Sequence, residues 1–152
     1  MKITDILKKD MILSDLQAQE KQGILQELAI VAAPAAGLPA DENLNVLTDR
    51  ERIGSTGLGN GIGIPHGKIK DLQNPVICLG LSRQGADFES MDGLPTHIFF
   101  LLLTPENSAG LNLTLLAQIS RMLKNDPFKD ILLNASDRDE IYAAIEQEDE
   151  EF

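Results

Sequence analysis

The apolar positions of this chain follow two different periods. Over about residues 18–36, Ile24, Leu25, Leu28, Val31, Ala32 and Ala35 recur on one helical face, which predicts an amphipathic helix ended by Pro34 and Gly37. A second helix is expected from about 39 or 40 to 51. Asp41 and Glu42 suit its positive N-terminal end, Leu44 and Leu47 face inward, and Arg50 follows on their face near the C-terminal end. Leu115, Leu116, Ile119, Met122 and Leu123 form a stripe over about 110–123, with Asn112 on the same face one turn earlier. A short helix at 127–133 and a last one at 136–147 complete the helical part. Ser136 and Asp139 read as a capping box, and the acidic residues from about 148 to 152 as a frayed end.

Apolar runs without helical period predict strands at 76–81 and 97–103, the second broken by Pro105-Glu106-Asn107-Ser108. A less regular strand is expected at 11–16, a short one near 62–64, and a short helix or turn at 3–8. Strands mixed with helices, without internal repeat or linker, predict an α/β layered fold in one domain over 1–152.

Charge narrows the function. Thirteen Lys+Arg against 24 Asp+Glu give a net charge of -11. Nucleic acids and anionic membrane surfaces are held by basic patches, so neither is an expected partner, whereas a protein with a basic face is. The lone cysteine, Cys78, lies in an apolar run and reads as a small buried hydrophobe. No apolar run approaches the roughly 18 residues that span a bilayer, and the first residues do not resemble a secretory leader, so membrane insertion is not expected and a cytoplasmic location is.

Residues 54–67 read Gly-Ser-Thr-Gly-Leu-Gly-Asn-Gly-Ile-Gly-Ile-Pro-His-Gly and hold six of the 12 glycines. Such a run suggests left-handed backbone or close approach, and its N–H groups can form an anion-binding nest. The dinucleotide fingerprint and the P-loop both fail on spacing, no G-x-S-x-G is present, and His66, His97 and Cys78 lack metal-ligand spacing. What remains is His66 beside Pro65 at the end of an anion-friendly loop. A neutral imidazole is a nucleophile that can take a phosphoryl group, and phosphoryl transfer asks mainly for positioning and charge stabilisation. Plainer roles stay open: Ser55, Thr56 and Asn60 also suit hydrogen bonds within the loop, Arg50 a helix-end charge, and Asn112 a satisfied amide. His97 reads as structural.

The segment 54–67, preceded by Arg50-Glu51-Arg52, resembles the phosphorylation-site segment of EIIA domains of the phosphoenolpyruvate-dependent phosphotransferase system, in their fructose/mannitol and nitrogen-regulatory class. Asp92-Gly93, the strand through Phe99 to Pro105 and the Leu-rich helix after it fit the family's second half. The resemblance implies a mixed sheet flanked by helices and phosphorylation on His66 by HPr or its nitrogen-branch counterpart. It implies an EIIB domain or a regulated protein as the next partner, and no metal or nucleotide cofactor. Arg50, Ser55, Thr56, Gly57, Gly59, Asn60 and Asn112 are the expected phosphate-stabilising residues, with Asn112 where the family commonly has a second histidine. The alternative is an EIIA-like regulatory module that binds partners without onward transfer.

Overall fold

The computed structural model describes residues 1–150. It contains a six-stranded mixed sheet with five α-helices: β1 (Ile12–Leu13), α1 (Lys21–Ala36), α2 (Ala40–Ile53), β2 (Gly57–Gly59), β3 (Ile62–Gly63), β4 (His66–Ile69), β5 (Val76–Ala86), β6 (Thr96–Pro105), α3 (Ala109–Leu123), α4 (Asp126–Asn134) and α5 (Arg138–Glu150). Two short 3-10 turns, Ile3–Asp5 and Lys9–Met11, precede β1.

β6 is the spine. From Ile98 to Leu103 its side chains are at most 1% exposed, the burial expected of a central strand covered on both faces. One edge pairs antiparallel with β5, which pairs parallel with β1. The other edge pairs parallel with β3 and then with β4, and β2 pairs antiparallel with β3. β3 and β4 therefore run along the same edge of β6, interrupted at Ile64-Pro65. The Pro65 carbonyl still accepts the Leu102 N–H at 3.0 Å. Among the described residues β4 has β6 as its one ladder partner, so its outer edge carries no strand.

α1 buries Ile24, Leu25, Leu28, Ala29 and Ala32, and ends as expected at Gly37 in the left-handed region, whose N–H reaches Ala33 O at 3.0 Å. Of the other two residues counted in this stripe, Val31 is half-buried at its margin and Ala35, in the last turn, is exposed. Cys78 is fully buried and burial pushes its thiol up to about 12, so it behaves as an apolar core residue. Among the described residues, no helix is long and apolar enough to cross a membrane.

Three expectations are corrected and one strand is added. The strand at 11–16 is only Ile12–Leu13, because Lys9–Met11 turns into a 3-10 segment. The last helix is capped by Asp137, which accepts the Glu140 N–H at 2.9 Å, in place of Ser136 with Asp139. The strand at β4 was not anticipated. The acidic end is not frayed over 148–150, where α5 runs on to Glu150 and buries Glu148 and Asp149. The Asp149 carboxylate accepts the N–H groups of Ile3 (3.1 Å) and Thr4 (3.0 Å) and the Thr4 hydroxyl (2.9 Å). Glu148 accepts from Asn125 Nδ2 at 2.9 Å. Residues 151 and 152 lie outside the described residues.

Candidate active site

The site is built where α2 crosses the open strand. A side chain on Gly67 would overlap Val46 Cγ1 of α2, so only glycine lets helix and strand come this close. Arg50 lies one turn after Val46 on the same face and is carried to the strand with it. Strand alternation sends His66 and Lys68 to one side of β4 and Gly67 to the other. A cleft of about 470 Å³ opens at this edge, lined by Val46, Asp49 and Arg50 of α2, by His66, Gly67 and Lys68 of β4, and by Asn112 of α3. Ile53 and Leu113 line it too and are strongly exposed.

His66 is half-buried, and its Nδ1 lies 2.7 Å from the Ile64 carbonyl oxygen. A carbonyl only accepts, so in the neutral ring Nδ1 carries the proton and Nε2 keeps its lone pair. Burial lowers the His66 pKa below the usual histidine value. The Ile64 carbonyl opposes this, the Arg50 charge adds to it, and Glu51 opposes it. The net effect keeps the ring neutral. Arg50 donates through Nη1 to Gly54 O at 3.0 Å, which steadies the guanidinium at the helix end. Asn112 is 8% exposed, and its Oδ1 finds no hydrogen-bond partner among the described residues. A buried amide oxygen left this way costs about 1–3 kcal/mol, which only a hydrogen-bond donor entering the cleft would recover.

The other expected residues are not brought to this cleft. Gly59, Asn60 and Gly61 all have positive φ and make the tight turn between β2 and β3. The Asn60 N–H donates to Asp92 Oδ2 at 3.0 Å. The Gly57 N–H donates to Ser55 Oγ at 3.1 Å, and that hydroxyl donates to Phe88 O at 3.1 Å. Thr56 donates both its N–H (3.1 Å) and its hydroxyl to the Glu51 carboxylate. Ser55, Thr56, Gly57, Gly59 and Asn60 are therefore not among the residues that line this cleft. The Ser55 and Thr56 hydroxyls and the N–H groups of Thr56, Gly57 and Asn60 serve the hairpin and its connection to α2.

Two features of the site had no place in the sequence reading. Lys68 stands two residues after His66, a spacing that becomes informative once His66 begins a strand. Glu51 is the second. Its side chain is 5% exposed and pairs with Lys21 Nζ at 2.9 Å, and Lys21 also reaches Ser55 Oγ at 3.3 Å. This pair ties the start of α1 to the end of α2 beside Arg50. His97, read as structural, rests its Nδ1 2.9 Å from Ser82 O.

A profile of the family described as "Phosphoenolpyruvate-dependent sugar phosphotransferase system, EIIA 2" matches residues 5–148. This chain belongs to that family. It is 37% identical over 145 residues to a nitrogen regulatory protein of Bradyrhizobium diazoefficiens, with 95% of each chain covered. It is 35% identical over 150 residues to the fructose-specific EIIABC component of Bacillus subtilis. That match takes 98% of this chain and 24% of the relative, so this EIIA chain spans about a quarter of that multicomponent protein. The crystal structure of the nitrogen regulatory protein IIA-Ntr from Neisseria meningitidis superposes with a TM-score of 0.89 at 28% identity, covering 94% of this chain and 98% of that one. The mannitol IIA of Escherichia coli shares the fold, with a TM-score of 0.78 at 19% identity over 91% of this chain and 98% of that one.

Proposed function

We propose that this EIIA chain is a cytoplasmic phosphocarrier that accepts a phosphoryl group on His66 Nε2 from an HPr-type protein. It then passes the group on or presents it as a regulatory signal. The observation that carries this reading is the ring geometry: Nδ1 held by the Ile64 carbonyl, with Nε2 left as the lone-pair nitrogen in a cleft that also holds Arg50.

The chemistry follows from that geometry. The Nε2 lone pair attacks the phosphorus of a phosphohistidine donor. The new Nε2–P bond forms as the donor's N–P bond breaks, and the bonding pair returns to the donor ring. Nδ1 keeps its proton, so the phosphorylated ring is cationic, and the Ile64 carbonyl stabilises that N–H. A cationic ring is the better leaving group, which suits a carrier that must release its cargo. The Arg50 guanidinium offsets charge on the phosphoryl oxygens, and Asn112 offers an amide that hydrogen-bonds without titrating.

An E. coli mannitol IIA of the same fold is solved in complex with phosphorylated IIB, with a TM-score of 0.79 at 17% identity. This supports an EIIB domain as one class of acceptor. A regulatory use is favoured by near end-to-end matches to proteins named nitrogen regulatory. Intact-protein mass spectrometry after incubation with phosphoenolpyruvate, enzyme I and HPr tests the reading. One phosphoryl adduct is expected on wild type and none on His66→Ala. Equal adducts on both would overturn it.

A further inference from the structure

The cleft contains a second cation that the proposed chemistry has not used. Lys68 lines it together with His66, Arg50 and Asn112. It sits on the same side of β4 as the His66 ring, because residues two apart in a strand share a face. It is exposed and forms no ion pair or hydrogen bond among the described residues. That is notable in a chain whose 24 acidic residues outnumber its 13 Lys+Arg. The nearby carboxylate in the cleft, Asp49, is turned to Arg52 at 3.0 Å. Arg50 already commits one donor to Gly54 O, and Asn112 has no charge to give. A phosphoryl group on Nε2 would bring up to two negative charges into this space, and Lys68 is the cation there without prior engagement.

We propose that Lys68 is a catalytic residue of this site, its ammonium contacting the phosphoryl oxygens carried by His66 and supplying the positive charge that Asn112 does not. The proposal rests on the reading that His66 accepts phosphate. Lysine suits the task as a mobile point charge on a flexible stem, able to follow the phosphoryl group between the incoming and the loaded geometry. Because Lys68 is exposed and unpaired among the described residues, its replacement is expected to leave the fold intact, which urea unfolding of each variant checks.

The test reads the finished phosphoprotein. Wild type, Lys68→Met and Lys68→Arg are loaded to completion with phosphoenolpyruvate, enzyme I and HPr, then freed of the donors and titrated by phosphorus NMR. An adjacent ammonium favours the dianionic phosphoryl group. Lys68→Met should therefore make its last proton bind roughly threefold more tightly, the size expected of a partly solvated ion pair. Lys68→Arg should titrate like wild type. Superimposable curves for wild type and Lys68→Met would overturn the proposal while leaving His66 as the acceptor, and would do so even if loading of Lys68→Met were slow. Failure of wild type to load at all would overturn the His66 reading instead.

Discussion

The molecule contains two histidines held in the same way, in two different settings. His66 and His97 each place Nδ1 against a backbone carbonyl, at 2.7 and 2.9 Å. Each also has a glycine beside it that makes room. Gly67 lets α2 approach the strand, and Gly85 lets the His97 ring lie against the backbone, with a Cβ there falling 2.9 Å from His97 Cε1 and 3.1 Å from Nε2. The settings differ in what surrounds the free nitrogen. His66 opens on a cleft with Arg50, Lys68 and an unsatisfied Asn112. Nε2 of His97 packs against Gly85. A fixed tautomer is common to both; the charged and unsatisfied neighbours belong to one.

Substitutions sharpen this contrast. His97→Gln should leave the phosphoryl adduct at wild-type level, against the complete loss expected for His66→Ala, and a missing adduct would place His97 in the chemistry. Arg50→Ala should slow loading of His66 by about 10–100-fold, the equivalent of a charge-assisted contact worth roughly 1.5–3 kcal/mol. Single-turnover loading rates measure this, and an unchanged rate would remove Arg50 from the site. Gly67→Ala and Gly85→Ala should each destabilise the fold by about 1–3 kcal/mol through overpacking, measured by urea unfolding. Only Gly67→Ala should also slow loading, because it pushes Val46, and with it Arg50, away from His66.

The smallest effect concerns pH. Since burial favours the neutral ring, His66 should be half-protonated below the ordinary value of about 6.5, followed by imidazole NMR. The unfolded chain binds this proton at the higher pH. The resulting stability is therefore full above about 6.5 and is lost as pH falls towards the folded-state pKa. The acid limb of loading should shift to lower pH in the same sense. A His66 titrating above 6.5 would contradict the burial argument.

Much of this arrangement was legible in the sequence, and the illegible parts share a cause. The faces of α1 and α3, the central strand at 97–103 and the position of His66 follow from local spacing. Arg50 and Asn112 were placed on inward faces by counting turns, and the structure brings both to the cleft. β4 was hidden because its buried positions are Gly67 and Ile69, and glycine does not register as apolar. Without that strand, Lys68 had no defined side. Ser55, Thr56 and Asn60 were assigned to phosphate because their partners, Phe88, Glu51 and Asp92, cannot be identified from the loop itself. Asp149 looked solvated because the N–H groups it accepts lie about 145 residues away.

That last contact makes the described chain behave mechanically as a closed circuit. Ile3 and Thr4 hang on Asp149, and the Gln118 side chain donates to the Met1 carbonyl at 2.8 Å. The first turn and the last helix are thus coupled: a protease that trims α5 back past Asp149 would strip the acceptor from the Ile3 and Thr4 N–H groups and loosen the first turn, while Gln118 would still hold the Met1 carbonyl.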